Sequence, residues 1–303
     1  MLMQVQYTYR LQYIVHGLGL SQILASVGPG FTRKMASPLV MQAAEVHRAS
    51  RDEQPIIADY VELYQQNQDQ ILLPEETQCL AVKTFLHMSN VEFHVVTRSN
   101  AEQMSPSRGV PFIKMGPQII AEFDPIVEYL ALKGVCLSKE LSGSQRAELK
   151  AYMALTVNRL HLAELCITWQ DKLTAEEISK LRYGSPFPWP LNKVLPWLKQ
   201  REMQLYLQAQ GWGNRSIDQV YNEVNLCCKA LSDKLGEQYY FFMDCPTELD
   251  ALVFAHLQSL LTTELTSAKL ADIVRRYPNL VRFCDRISQR YFPEGTGSGQ
   301  ADR

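Results

Sequence analysis

The residues with the greatest potential for chemistry are seven cysteines and six histidines. The cysteines are irregularly spaced and contain no Cys-X-X-Cys pair, a pattern that suits neither a zinc site nor a disulfide framework. The histidines form no HxxxH or HExxH pattern. We therefore predict no metal site and expect reduced, mostly buried thiols in a protein that faces the cytosol. The cysteines are Cys79, Cys136, Cys166, Cys227, Cys228, Cys245 and Cys284.

Cys79 is the first candidate for a reactive thiol, because it lies near the start of a predicted helix. A helix N-terminus can lower the pKa of a thiol. The carboxylates of Glu75 and Glu76 oppose this effect, since a nearby like charge disfavours the thiolate. We favour an inert packing cysteine, and we keep open a thiol-redox sensor that uses Cys79 or Cys136. Thr77, the other candidate nucleophile, is better explained as a helix-entry capping residue.

Size and charge restrict the classes of partner. The 303 residues are 46% hydrophobic and 20% charged, which suits a globular protein with room for two modest domains. The formal net charge of -2 provides no field that would attract nucleic acid. No run of about 18 apolar residues occurs, so the sequence predicts no transmembrane segment.

An α/β pattern begins near Ile57. Short apolar runs and turn residues predict the order β-α-β, then β-β-α. Gly116-Pro117 separates the last two strands, and Gly134 stops the last helix. The predicted elements are a strand at Gln70–Leu73, a helix from Pro74 to Met88, a strand at Phe93–Thr97, a hairpin of Val110–Ile113 with Ile119–Ala121, and a helix at Pro125–Leu130.

The rest of the chain carries the signals of helices. Four capping-box sequences open helices there, so we predict an all-α region. One of these helices, Ala251–Leu261, has no polar face and should be buried. The four boxes are Ser142–Gln145, Thr174–Glu177, Ser216–Gln219 and Thr247–Asp250.

The order of these elements resembles the glutathione transferase superfamily. Its N-terminal domain is thioredoxin-like and places a cis proline before the third strand, a position that Pro111 matches here. Its helical domain has a capping box and staple that Thr247 and Asp250 match as structural residues. Tyr277–Phe283 resembles the entry to its last helix. The resemblance implies an α/β thioredoxin-like domain packed on an all-α domain.

Longer sequence runs resemble the metaxin family within this superfamily. The resemblance implies an interaction subunit on the cytosolic face of the mitochondrial outer membrane that assists the import and assembly of β-barrel proteins. It implies metaxin-1 and the sorting and assembly machinery as partners, and peripheral membrane attachment through a partner. The matching runs are Ser99–Pro106, Arg182–Asn192, Gly211–Gly213 and Pro246–Phe254.

The family likeness and the element pattern together suggest domain boundaries. Residues 1–44 contain no acidic residue, a composition that resembles a targeting segment, although Gly28-Pro29-Gly30 would break a presequence helix. We favour Met35 as the start of the family-like sequence, with 1–34 as an upstream extension. The predicted division is a disordered extension at 1–56 with its family-like start at 35–56, a thioredoxin-like domain at 57–136, an all-helical domain at 142–292 and a mobile tail at 293–303.

Two departures from the superfamily pattern argue against catalysis. Transferases carry a Tyr, Ser or Cys just after the first strand, where Leu73–Cys79 offers two carboxylates instead. They also carry a Glu/Gln-Ser/Thr pair after the fourth strand, where this chain has Glu122-Phe123-Asp124. We therefore assign no catalytic residue and no cofactor-binding residue. A glutathione-dependent transferase remains the alternative.

The candidate partner-binding residues are aromatic. Tyr183, Phe187 and Trp189 lie in a proline-rich segment, and prolines stiffen a loop that presents large apolar side chains. Trp212, between two glycines, is the fourth candidate. The alternative is that these rings fill the core of their own domain.

Overall fold

The computed structural model describes residues 60–242 and 245–293. The predicted extension at 1–56 and the tail after Pro293 lie outside the described residues, and the predicted domain boundaries stay a prediction. The chain has an α/β part followed by an all-helical part. The α/β elements are β1 (Val61–Gln65), α1 (Leu73–Met88), β2 (Phe93–Thr97), α2 (Ala101–Met104), β3 (Phe112–Met115), β4 (Gln118–Ala121) and α3 (Phe123–Leu132).

The four strands form one mixed sheet in the order β2-β1-β3-β4. β1 pairs in parallel with β2 and antiparallel with β3, and β4 completes the hairpin. Leu63 is the central pair residue, opposite Val95 on one side and Ile113 on the other. Together with the helices that cover it, this sheet has the architecture of a thioredoxin-like domain, as expected.

The first strand lies upstream of its predicted position. Gln70–Leu73 was expected as a strand, but β1 is Val61–Gln65, and residues 70–72 belong to the loop before α1. The Asn67 carbonyl accepts hydrogen bonds from the Gln70 and Ile71 amides at 3.0 and 2.9 Å, which turns the backbone away from a sheet. The short apolar run thus lies in a buried loop. Apolar composition in a run of this length does not distinguish a buried loop from a buried strand.

Among the described residues, the all-helical part contains more helices than the four capping boxes indicated. The boxes at Ser142 and Ser216 open helices as predicted. π-Helical turns at Val157–His161 and Ala175–Ser179 join successive helices. The helices are α4 (Gly143–Thr156), α5 (Leu162–Trp169), α6 (Lys172–Thr174), α7 (Lys180–Gly184), α8 (Leu191–Ala209), α9 (Ile217–Leu235), α10 (Glu248–Thr262), α11 (Lys269–Arg275) and α12 (Pro278–Tyr291).

One predicted cap is displaced by three residues. Asp171, not Thr174, caps the helix: its carboxylate accepts from the Thr174 amide at 3.0 Å and from the Thr174 hydroxyl at 2.7 Å. Thr174 then lies inside the helical run. Aspartate is among the strongest N-cap residues, which explains the earlier start.

The helix α10 is the centre of the core. Twelve of its 15 residues are buried, as its apolar sequence predicted. It packs along α1 of the α/β part and against α4, α11 and α12 of the helical part. One continuous apolar core therefore joins the sheet side to the helices.

The start of α10 is fixed by a buried carboxylate. Asp250 accepts hydrogen bonds from the Thr247 amide at 2.8 Å, the Thr247 hydroxyl at 2.7 Å and the Phe241 amide at 2.9 Å. Burial raises the pKa of Asp250 to about 6, although the three donors act in the opposite direction. Thr247 and Asp250 thus form the capping box. The contact between Asp250 and the Phe241 amide also ties α10 to the preceding loop.

We expect Asp250→Ala to lower the free energy of unfolding by at least about 3 kcal/mol, because each buried donor without an acceptor costs about 1–3 kcal/mol. Chemical denaturation followed by circular dichroism measures this loss. Asp250→Asn keeps one acceptor oxygen in place and should lose clearly less. Equal losses for the two variants would contradict the assigned role of the carboxylate.

Candidate partner-binding surface

The loop between β1 and α1 holds no group for transferase chemistry. Since β1 ends at Gln65, the segment after the first strand is 66–72, and the previously considered Leu73–Cys79 forms the first turns of α1. Residues 66–72 read Gln-Asn-Gln-Asp-Gln-Ile-Leu. No hydroxyl or thiol is present to activate a glutathione sulfur. The corrected position of the first strand therefore leaves unchanged the expectation that the chain has no catalytic residue.

Side chains from the helical part hold this loop. The Arg182 guanidinium of α7 donates to the Gln68 carbonyl at 2.7 Å and to the Asp69 carbonyl at 3.3 Å. On the other side, the Gln70 side chain donates to the Ser99 carbonyl at 3.2 Å. The loop is thereby bridged to α7 and to the segment after β2.

A network of charged side chains lies beside the loop, where α2 meets α7 and α8. Glu102 accepts from the Tyr183 hydroxyl at 3.0 Å and forms an ion pair with Lys199, which is nearly buried. Burial lowers the pKa of Lys199, but the carboxylates of Glu102 and Glu202 outweigh this effect and raise it. Lys199 therefore stays charged, and the network stabilises the contact between the two parts of the chain.

Glu75 adds a partly neutral acid to this network. Burial raises the pKa of Glu75 to about 7, although Lys199 acts to lower it. One of its carboxyl oxygens is buried and has no hydrogen-bond partner among the described residues. A helix start with such an acid is a poor place for a thiolate, because negative charge there is already disfavoured.

The second glutathione contact of the superfamily is also changed. The residue in the hydroxyl position, Phe123, is buried at the start of α3 and packs edge-on against Phe85, with 6.1 Å between ring centroids. Asp124 follows, and burial raises its pKa. The nearby Val110–Pro111 peptide bond is cis. The backbone feature of the superfamily is therefore present without the side chains that would hold an anionic ligand.

The four aromatic candidates occupy different environments. Trp189 is 81% exposed, whereas Trp212 is 3% exposed and lies beneath the Arg215 guanidinium, 4.3 Å from the ring centroid. Tyr183 and Phe187 are half-buried, with 6.4 Å between their ring centroids. Burial removes Trp212 from any surface that a partner can reach, and Trp189 is the candidate with the greatest accessible area.

An exposed apolar stripe on α8 was missed by the sequence analysis. We call this stripe the α8 face; its members share exposed side chains at helical spacing along one side of the helix. Apolar residues at i, i+3, i+6, i+7 and i+14 were the available signal. The sequence analysis did not use it, because an apolar stripe normally predicts a face turned to the core. The members are Leu191, Val194, Trp197, Leu198 and Leu205.

A cavity of about 340 Å³ lies between α7 and α8, next to this face. Trp197, Pro196 and Lys193 line one side, and Glu176, Lys180 and Leu181 line the other. The close approach of the two helices depends on a glycine. A Cβ atom on Gly184 would lie 2.5 Å from the Asn192 carbonyl oxygen, so no larger residue fits there without movement.

Two family models match the chain. Residues 77–174 match "Glutathione S-transferase N-terminal domain", and residues 224–287 match "Glutathione S-transferase, C-terminal domain". The first match begins within α1, so β1 and the loop after it lie outside the matched stretch.

Curated relatives decide the family. Metaxin-2 of Mus musculus is 52% identical over 239 residues, which cover 78% of this chain and 90% of that protein. Metaxin-2 of Homo sapiens is 51% identical over the same shares of each chain. The chain belongs to the metaxin family. Metaxin-1 of Mus musculus is a more distant relative of this metaxin, 32% identical over 221 residues that cover 71% of the chain and 69% of that protein.

Solved structures agree with this metaxin on the fold. The beta-etherase LigF from Sphingobium sp. strain SYK-6 has a TM-score of 0.52 at 18% identity, covering 76% of this chain and 95% of that one. A glutathione transferase family member from Pseudomonas fluorescens, solved with two glutathione molecules bound, has a TM-score of 0.50 at 15% identity, covering 81% and 94%. The metaxin chain thus has the glutathione-transferase-like fold.

Across residues 60–242 and 245–293, no group of three or more His, Cys, Asp or Glu side chains is arranged to hold a metal ion. Within the same ranges, no helix has the length and apolar character needed to cross a membrane.

Five of the seven cysteines of this metaxin are buried, and burial raises the pKa of each of these thiols. Burial raises the pKa of the Cys79 thiol to about 12, with nearby carboxylates acting in the same direction. Burial also raises the pKa of the Cys166 thiol and that of the Cys228 thiol to about 12. Cys245, in contrast, is exposed. A redox role for Cys79 is therefore opposed by its surroundings.

We expect iodoacetamide at neutral pH to alkylate Cys245 in the native protein and to leave Cys79 unmodified, because a buried thiol with a raised pKa yields almost no thiolate. Mass spectrometry of the digested protein identifies the modified positions. Denatured protein, in which all seven cysteines should react, is the control. Rapid modification of native Cys79 would support the redox alternative instead.

Proposed function

We propose that this chain is a non-catalytic interaction subunit at the cytosolic face of the mitochondrial outer membrane. There it assists the import and assembly of β-barrel proteins, in complex with metaxin-1 and the sorting and assembly machinery. It is held at the membrane peripherally, through a partner. One observation carries the proposal. Around the β1–α1 loop, the chain's own side chains lie in place of a thiol-activating group.

Three contacts support the absence of catalysis. Arg182 holds the carbonyls of the loop, and Glu102 binds Tyr183 and Lys199 beside it. A ligand that used the loop backbone would have to displace the guanidinium. With no activating hydroxyl or thiol after β1, such a displacement would still yield no thiolate.

The partner-binding role is supported by the exposed apolar surface of α8. Natural monomers seldom leave large apolar side chains contiguous on their surface, and such patches mark binding sites. Trp189 and Trp197, which are 81% and 54% exposed, are of the residue type that dominates interface energetics. The identity to Metaxin-2 of mouse and human supports the assignment of this role to the mitochondrial surface.

We expect isothermal titration of the full chain with glutathione to give millimolar binding at best, and a chromogenic conjugation assay to give no turnover. The physical reason is the missing activating group together with Arg182 on the loop carbonyls. An active transferase of the same fold serves as the positive control in both assays. Micromolar binding with turnover would overturn the proposal in favour of a glutathione-dependent transferase.

We expect the full chain to co-purify with co-expressed metaxin-1 after detergent extraction of mitochondria. In intact mitochondria, added protease should digest the chain, and alkaline carbonate should release it from the membrane, since attachment is through a protein partner. The control is expression of the chain without metaxin-1. The chain should then be found largely in the soluble fraction. Protection from the protease, or a chain that never co-purifies with metaxin-1, would contradict the proposed role.

A further inference from the structure

We propose that the α8 face and the neighbouring cavity bind an amphipathic helix of a protein partner, and that this helix carries carboxylates along the edge of its apolar side. This inference deepens the proposed interaction role and rests on it. It assigns the surface, the secondary structure of the bound segment and the sign of its charge.

The spacing of the exposed residues fits a helical partner. From Leu191 to Leu205 the face runs along four turns, or about 21 Å at 1.5 Å per residue. Its apolar side chains form a ridge of the kind that packs into the groove of another helix. The opposite side of α8 is occupied, since Leu207 is buried against the chain itself. The face is thus available for a second, external packing contact.

The cavity provides a site for an anchoring side chain. Its volume of about 340 Å³ lies at the small end of the range for binding pockets, and Trp197 forms an aromatic wall. Gly184 fixes the approach of α7 to α8 and so keeps the cavity in its present shape. A preformed pocket beside an apolar ridge lowers the ordering cost of binding.

The charges around the face select an acidic partner. From residue 176, which lines the cavity, to residue 205 the chain carries five cationic side chains and three acidic ones. Among the described residues, Lys193 and Arg201 form no ion pair, whereas Lys180 pairs with Glu176 and Lys199 pairs with Glu102. Lys193 lines the cavity, and Arg201 lies between Leu198 and Leu205 in the helical order. Carboxylates on the partner would compensate these two charges.

Two other occupants fit less well. A second copy of this chain, packed face to face, would bring Lys193 and Arg201 of both copies into one interface, and like charges there are costly. An anionic bilayer would meet the cations but would leave the concave cavity without a side chain to fill it. A protein helix with acidic edges satisfies both the shape and the charge.

The probe is metaxin-1 purified in detergent. The test measures the affinity of the full chain and of its variants for this probe. Val194→Asp places a carboxylate in the ridge, and Trp197→Ala removes the wall of the cavity. We expect each to raise Kd at least tenfold, an effect typical of interface anchors. The matched control is Leu226→Asp on α9, where the leucine is 53% exposed; its Kd should stay within twofold of wild type.

Charge and secondary structure are tested separately. The double variant Lys193→Glu with Arg201→Glu should raise Kd and reduce its dependence on salt, because both cations face carboxylates. A photo-crosslinking amino acid at position 198 should attach to a segment of the probe with apolar residues at helical spacing and acids beside them. Crosslinks to a basic segment or to a strand would overturn the proposal.

The outcomes separate this inference from the proposed function. If wild type binds metaxin-1 and all of the variants bind equally well, the surface is wrong while the interaction role stands. If wild type does not bind metaxin-1, both are overturned. If the variants lose binding to phosphatidylserine-containing vesicles but keep their affinity for metaxin-1, the face contacts a membrane and the helix proposal is wrong.

Discussion

The enclosure of α10 is the constraint on which the rest of the structure depends. This helix has almost no polar surface, so it is stable only where other elements cover it on every side. The α/β part provides one cover through α1, and α4, α11 and α12 provide the others. Neither part could expose its share of this contact to water without a large loss of buried apolar area. The sheet and the helical layer are therefore joined through one core, with Asp250 fixing where α10 begins.

The differences from the transferases around the β1–α1 loop are related to the same contact between the α/β part and the helical part. A glutathione-binding region needs an open cleft between the α/β part and the helices, with exposed backbone for the peptide. Here Arg182 and the Glu102 network bridge that boundary from α7 and α8. These side chains contribute to the contact between the two parts. The fold of the superfamily is thus compatible with different side chains in this region, since fold and site are separable.

Sequence reasoning succeeded where local chemistry determines structure. The capping boxes at Ser142 and Ser216 and the apolar run of α10 each predicted an element that the structure contains. It failed at β1, because the apolar run after Gln70 has the same composition as a short strand. It also failed at Thr174, where Asp171 competes three residues upstream and provides the stronger cap. The α8 face could not be found by pattern, since periodicity does not reveal which side of a helix is covered.

Buried acids link the folding of this chain to proton uptake. Glu164 lies fully buried 2.6 Å from the Nδ1 atom of His256, and burial raises the pKa of Glu164 to about 7, as it does that of Glu75. In the unfolded chain both carboxyls have a pKa near 4.5 and are ionised at neutral pH, so folding there takes up about one proton. Their contribution to stability falls as pH rises from about 4.5 to 7. Burial lowers the pKa of His256 to about 3, so its contribution falls in the opposite direction, as pH drops below 6.5.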